Sequence, residues 1–395
     1  MNRKEFLKNF AALGLATPFM STLFASCDDH SPLFPEIEGG FNGKVLIIGA
    51  GAAGMTAGYI LKRQNIDFEI IEASSVHGGR IKEISGFADF PIDLGGEWIH
   101  TNPNILSKLL NNRDANADIE IINYNPQTIK VWKNNQLLNR NFGRHFYSEH
   151  KFKNTTWYSF FDQFIIPEIG HKIVYDQPVN NIDYSGDKVK VNSIHGNEYE
   201  ADKVIVTVPI SILQNNYINF QPALPSEKTA AINNIYIPAG LKVFIEFSER
   251  FYSDIVFVGG LNSDDIFYDA AFKKDSSQNI FGLFSVGELA EKYADADSEQ
   301  EIIDDLLQLL DTMFDGKASE TYQKHVIQNW SQEPFIQGSY SHFQGSWGAT
   351  VRTLLEPVNN KVYFAGEALN LNGDTATVHG AGESAYIAME ELLRS

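Results

Sequence analysis

The stretch that most limits what this chain can fold into is Lys44-Val45-Leu46-Ile47-Ile48, followed at once by Gly49-Ala50-Gly51-Ala52-Ala53-Gly54. The apolar, β-branched run predicts a strand, and the pattern through Ile60 and Leu61 predicts a helix. Between them the spacing G-x-G-x-x-G has a mechanical meaning. Gly49 permits a tight turn, Gly51 lets a pyrophosphate approach the backbone, and Gly54 lets helix and strand pack closely. The N–H groups that open the helix, at Ala52 and Ala53, meet the phosphate charge. A second predicted strand, Phe68-Glu69-Ile70-Ile71, ends in Glu72. A carboxylate at that distance accepts hydrogen bonds from ribose hydroxyls and disfavours a 2′-phosphate. A solvated glutamate at a strand end is the plainer alternative, and the coupled pattern argues against it. The glycine turn alone predicts a dinucleotide without saying which one.

A chain of 395 residues exceeds what one core usually supports, so two interleaved lobes are expected. Lys plus Arg total 31 against 50 Asp plus Glu, a net charge of -19, which excludes a broad basic face for nucleic acid. The acidity could steer cationic substrates, or simply keep the chain soluble. His145 and His150 with Glu149 lack a third ligand at a diagnostic spacing, so they are expected at the surface and no metal is predicted. Ser298-Glu299-Gln300-Glu301, ahead of Ile302, Ile303, Leu306, Leu307, Leu309 and Leu310, reads as a capping box on a scaffold helix.

The N-terminus reads as targeting rather than fold. Arg3, Lys4 and Lys8 precede an apolar stretch over residues 10–25, interrupted by Pro18 and short for a membrane span. Asn2-Arg3-Lys4-Glu5-Phe6-Leu7-Lys8 resembles a twin-arginine export signal with lysine as its second basic residue, and ordinary export stays open. Leu23-Phe24-Ala25-Ser26-Cys27 resembles a bacterial lipobox, and Cys27 is the sole cysteine, so an intramolecular disulfide is impossible. The resemblance implies residues 1–26 as export signal, residues 27–42 as tether, and a membrane anchor through a lipidated Cys27 in the bacterial cell envelope.

Further blocks follow in order: Glu72-Ala73 with Gly78-Gly79-Arg80, then Asp93-Leu94-Gly95-Gly96-Glu97-Trp98-Ile99-His100, Pro178-Val179-Asn180-Asn181-Ile182, Val204-Ile205-Val206-Thr207-Val208-Pro209, Val362-Tyr363-Phe364-Ala365-Gly366-Glu367 and Thr377-Val378-His379-Gly380-Ala381. Together they resemble the flavin amine oxidase family, the second block being closest in form to polyamine oxidases. The resemblance implies FAD as cofactor, with Gly79 and Arg80 at its diphosphate. Gly95, Gly96, Glu97 and Trp98 would run beside the ring, Val179 would hold the adenine, and Gly366 and Glu367 would lie near the ribityl phosphate. The final helix would aim Val378 at the pyrimidine. It also implies an α/β architecture: a Rossmann-like FAD-binding domain from segments 43–112, 168–212 and 357–395, interleaved with an α+β substrate domain from segments 113–167 and 213–356.

On that substrate side Lys242 matches the family lysine that reaches the flavin through a water, although a lysine on a strand is ordinarily solvated. Trp330 and Tyr340 match pocket aromatics, His100 could assist at the amine, and Thr377 replaces the second tyrosine of monoamine oxidases. Ser339 falls where those enzymes carry a flavin-linked cysteine, so FAD is expected to be noncovalent. One departure stands out: fewer than eighty residues separate His100 from Val179, where the family usually has a longer helical part. Phe142, His145, Phe146, Tyr147, Trp157, Tyr158, Phe160, Phe161 and Phe164 in that segment make either a compact roof or the edge of an open site. The implied function is oxidation of a small amine, an amino acid or a larger amine-bearing substrate, with O2 as electron acceptor and H2O2 as product. A carbon–carbon desaturase and a non-catalytic flavin-binding lipoprotein are the alternatives.

Overall fold

Five parallel strands carry the first lobe, in the order Ile173–Val174, Asp67–Ile71, Lys44–Ile48, Lys203–Val206 and Val362–Phe364. The computed structural model describes residues 40–112, 119–140, 149–343 and 345–395. The export signal, Cys27, most of the tether, Phe142, His145, Phe146 and Tyr147 therefore lie outside the described residues.

The central strands read as unbroken apolar runs because both faces are covered. Val45, Ile47, Phe68 and Ile70 face one core, built with the fingerprint helix (Ala52–Arg63) and the final helix (Val378–Arg394). Leu46, Ile48, Val204 and Val206 face a second core, which includes Ile182, Val189 and Val191 of a four-stranded sheet. Trp157, Phe160 and Phe161 sit on the helix Trp157–Phe164, started by Thr156, whose hydroxyl accepts from Ser159 N at 3.0 Å. They belong to the first of these cores, under the fingerprint helix, and so form no roof over the site. Each buries a large apolar side chain, worth roughly 1.5–3 kcal/mol before chain entropy is charged against it.

The second lobe is a seven-stranded sheet, ordered Tyr322–Asn329, Leu241–Phe247, Asn279–Ser285, Asp265–Asp269, Ile255–Val258, Ile129–Lys133 and Gln136–Asn139. Residues 113–167, expected as one short piece of this lobe, are distributed: two strands join this sheet, two form a three-stranded sheet with Trp98–Ile99, in which Glu149–Phe152 is central, and a helix joins the first lobe. Alternation along Leu241–Phe247 sends Leu241, Val243, Ile245 and Phe247 toward the amphipathic helix Glu299–Met313, whose N-cap Ser298 accepts from Glu301 N. Phe244 faces the opposite side, with Tyr268 and Ile266. By the same period of two Lys242 lies on Phe244's side, paired in register with Phe284 and Gln328.

Candidate active site

The cavity opens beyond the carboxyl ends of the parallel strands, where α/β sheets place their ligands. It holds about 1090 Å³ and runs from Val179 past the glycine turn to the seven-stranded sheet. Every residue expected at the site lines it, except Gly54.

Gly54 acts through packing instead: a Cβ there would fall 1.9 Å from the Gly49 carbonyl oxygen. Gly49 takes φ +105°, a conformation L side chains rarely adopt, and its N–H donates to the Ile71 carbonyl at 2.8 Å. Gly51 is the opposite case, since a Cβ there meets nothing nearer than the Gly78 carbonyl at 3.9 Å. It also caps the fingerprint helix without any side-chain partner, leaving the first N–H groups for an anion. Glu72 is buried, and its carboxylate accepts from Ala50 N at 2.6 Å and Ser74 N at 2.8 Å. Burial raises its pKa, against the lowering effect of those bonds. Two backbone donors fix the carboxylate at the strand end, beside the cavity it lines.

Distant blocks are tied together here by one guanidinium. Arg80 Nη1 donates to the Ser339 carbonyl at 2.7 Å and to Glu367 Oε1 at 2.9 Å, while Glu367 Oε2 accepts from Ser341 Oγ at 2.6 Å and Ala376 N at 3.0 Å. Thr377 caps the final helix by accepting from Gly380 N at 3.0 Å, so Val378 opens that helix at the cavity wall. A Cβ on Gly96 would strike Val378 Cγ2 at 2.5 Å, and one on Gly95 would overlap the Arg80 carbonyl. Val378 and the Gly95-Gly96 turn therefore pack directly on each other.

The opposite wall is made of side chains. Lys242 is 3% exposed, and its Nζ donates to Glu97 Oε2 at 2.6 Å and the Asp93 carbonyl at 2.7 Å. Glu97 also accepts from Tyr268 and pairs with Lys151 through Oε1 at 2.5 Å. Burial alone would raise the Glu97 carboxyl, but Lys151 and Lys242 outweigh it and hold its pKa at about 2. Trp330 donates Nε1–H to the Leu94 carbonyl at 3.0 Å. The Tyr340 ring is near-parallel both to Phe284 (6.4 Å, 16°) and to His342 (5.2 Å, 14°). His100 Nδ1 lies 3.2 Å from Glu149 Oε2, and Ser339 Oγ donates to the Pro238 carbonyl.

Glu149 corrects one expectation, because it is 1% exposed and serves His100 rather than lying at the surface. Among the described residues no group of three His, Cys, Asp or Glu could hold a metal. Sequence reasoning also missed Lys151 and Tyr268. Their only trace in the sequence is a charged or polar residue on a short strand, which does not reveal its partner.

An α/β lobe with this glycine turn, fixed acid and late helix N-terminus defines a dinucleotide-binding oxidoreductase. The family model described as flavin containing amine oxidoreductase matches residues 159–393, and one described as an NAD(P)-binding Rossmann-like domain matches residues 47–112. The chain belongs to the flavin containing amine oxidoreductase family, and with it to the FAD-dependent oxidoreductases. It is 32% identical over 214 residues to lysine-specific histone demethylase 1B of Mus musculus, covering 51% of this chain and 25% of that protein. This chain thus spans about a quarter of the length of that relative. To polyamine oxidase 3 of Oryza sativa subsp. japonica it is 24% identical over 438 residues, 88% of each chain. Among solved structures, cyclohexylamine oxidase from Brevibacterium oxydans IH-35A superposes with a TM-score of 0.72 at 17% identity, over 89% of this chain and 99% of that one, which shows a shared fold.

FAD fits the residues present. The uncapped helix start and side-chain-free approach at Gly51 suit a diphosphate, the fixed Glu72 suits a ribose, and the cavity continues far enough for a ring system against the final helix. FAD is the cofactor.

Proposed function

We propose that the chain oxidises an amine or amino acid at the carbon bearing nitrogen, giving an imine that hydrolyses, with O2 as final acceptor and H2O2 as product. FAD, when bound, supplies the hydride acceptor and passes the electron pair on to oxygen. The observation that carries this reading is Lys242, a buried ammonium set by Glu97 and the Asp93 carbonyl into the wall of the cofactor cavity. A fixed cation there favours the negative charge that develops on oxygen during reduction.

The substrate nitrogen has to lose its proton before the carbon can give up hydride. Phe284, Tyr340 and Trp330 make that part of the cavity apolar, which lowers an amine pKa by desolvation. His100, backed by the Glu149 carboxylate, is the group placed to take the proton. At the far end, the N–H groups of Val378 and His379 are held in position by the Thr377 cap. The names of the relatives span a histone lysine demethylase, a polyamine oxidase and a cyclohexylamine oxidase, all enzymes of amine-bearing molecules.

Anaerobic mixing of the FAD-loaded protein with polyamines, monoamines, amino acids, isoprenoids and porphyrins tests the proposal. Bleaching of the visible band by an amine is the expected result. Bleaching by an isoprenoid or porphyrin alone would move the assignment to a desaturase, and no bleaching by any amine would end the amine-oxidase reading. We also propose export to the bacterial envelope and anchoring through Cys27, supported by the basic, apolar and small-residue order of residues 3–27. A Cys27→Ser variant should leave the membrane fraction, and its retention there would overturn the anchor.

A further inference from the structure

We propose that Lys151 is a positioning residue for Lys242: by holding one oxygen of Glu97, it leaves the cavity wall with a net positive charge and Lys242 with an N–H to spare. The inference rests on the reading of the cavity as an oxidase site and adds a residue to its machinery.

Lys151 comes from the short strand Glu149–Phe152, which pairs with Trp98–Ile99 so that Lys151 stands opposite Trp98. It is 2% exposed, and its Nζ lies 4.7 Å from the Trp98 ring centre, 5.0 Å from Tyr268 and 5.4 Å from Tyr124. Three ring faces stabilise a cation that has been removed from water. Its ion-pair partner is Glu97 Oε1, at 2.5 Å. Lys242 takes the other oxygen at 2.6 Å and the Asp93 carbonyl at 2.7 Å. An ammonium has three N–H groups. The third has no hydrogen-bond partner among the described residues, and Lys242 lines the cavity.

The charge count around this pair gives Lys151 its role. Asp93, on the strand Ile92–Asp93, meets Lys242 through its backbone carbonyl, and burial and Glu97 push its carboxyl well above the ordinary range. Tyr268 is pushed up as well and stays a neutral donor. Lys274, beyond the strand Asp265–Asp269, is drawn down to about 8 by burial yet remains largely charged at pH 7, donating to the Lys153 carbonyl at 3.0 Å. Arg250 is shared between Asp269 at 2.8 Å and Asp254 at 2.6 Å, and His100 Nδ1 lies 3.2 Å from Glu149 Oε2. At Glu97 itself one carboxylate thus faces two lysines, Lys151 on Oε1 and Lys242 on Oε2. Without Lys151, Glu97 and Lys242 would form a neutral pair, and a neutral pair gives little help to electron density arriving in the cavity. A lysine that merely filled the aromatic cage would not act through Lys242, and this separates the two roles experimentally.

The test uses full-length, FAD-loaded protein carrying Lys151→Met, Lys151→Gln, Lys151→Arg, Lys242→Met and the Lys151→Met/Lys242→Met pair. The protein is reduced by light rather than by substrate, so the outcome stands even if no amine proves to be a substrate. Lys151→Met and Lys151→Gln are expected to slow reoxidation by O2 about tenfold and to raise the Kd for sulfite, an anionic probe of positive charge beside the ring, by a similar factor. Lys151→Arg should restore both, and Lys151→Met should add nothing in the Lys242→Met background. Should Lys151→Met fail to fold, Lys151→Gln carries the test, because it keeps a donor for Glu97 without the charge. Wild-type sulfite affinity in Lys151→Gln, or additive losses in the double variant, would overturn the proposal.

Discussion

On one wall of the cavity the chain presents backbone, at Gly49, Gly51 and Gly79; on the other it presents Lys242, a side chain held by Glu97 and the Asp93 carbonyl. The glycine wall is held by dihedral angles and close approach, and its Gly49, Gly51 and Gly54 follow from a spacing of a few residues. The lysine wall brings together Asp93, Glu97, Lys151, Lys242 and Tyr268 from four separate strands and the turn that bears Glu97, and it buries ionised groups to do so. Burying charge is stabilising only while every partner stays in place. The two walls should therefore fail differently.

The largest effect is expected on the charged side. Glu97→Gln leaves two buried ammonium groups without their carboxylate, a change worth roughly 3–5 kcal/mol. Urea unfolding at pH 7 measures it, and a loss under about 1 kcal/mol would mean the cluster is not held as a unit. In the wild type, the Glu97 pKa is depressed to about 2 from 4.5. Its contribution is therefore complete above pH 4.5 and fades as pH falls toward about 2. The variant should lose that part of the acid dependence.

On the glycine side the corresponding blow is Gly54→Ala, whose Cβ would sit 1.9 Å from the Gly49 carbonyl oxygen. Overpacking of backbone against backbone costs about 3 kcal/mol, and the turn has to move to relieve it. Loss of both stability and bound FAD is expected, read from the melting temperature and the absorbance ratio of the purified protein. Normal flavin content in this variant would break the contrast between the walls.

His379 sets a third, smaller effect, and it belongs to the cradle because it lies in the first turn of the final helix. It is wholly buried, its Nδ1 has no hydrogen-bond partner among the described residues, and burial, with His100 assisting, draws its pKa down to about 3 from 6.5. The unfolded chain therefore takes up a proton below pH 6.5 that the folded one refuses. Stability held above pH 6.5 falls by up to about 1.4 kcal/mol for each unit below it, until about pH 3. Between pH 7 and pH 5 the wild type should lose about 2 kcal/mol more than His379→Gln. Equal losses in the two proteins would assign the acid sensitivity elsewhere.

Legibility followed the same division. The strand, turn and helix around Gly49-Ala50-Gly51 could be read because periodicity and glycine spacing are local, and Glu72 because its distance from them is characteristic. The alternation in Leu241–Phe247 set the side of the sheet on which Lys242 lies, but its burial needed both faces covered. Lys151 and Tyr268 stayed hidden because their meaning depends on pairings 53 and 171 positions away, Trp98 with Lys151 and Glu97 with Tyr268. Trp157, Phe160 and Phe161 were misread as a possible roof for a related reason: aromatic content marks burial without naming the core.

Gly51→Ala gives the finest cut between folding and binding. Unlike Gly54, Gly51 has room, since its added Cβ finds only the Gly78 carbonyl at 3.9 Å and φ there is an ordinary -78°. The fold should accept the methyl group, with the melting temperature of the flavin-free protein unchanged within about 2 °C. The space the methyl takes is where the diphosphate would approach the helix start, so FAD affinity should fall about tenfold, or about 1.4 kcal/mol. Titration of flavin-free protein with FAD measures this directly. A fall in stability matching the fall in affinity would make Gly51 a second Gly54, and the open approach would then be a packing feature rather than a binding one.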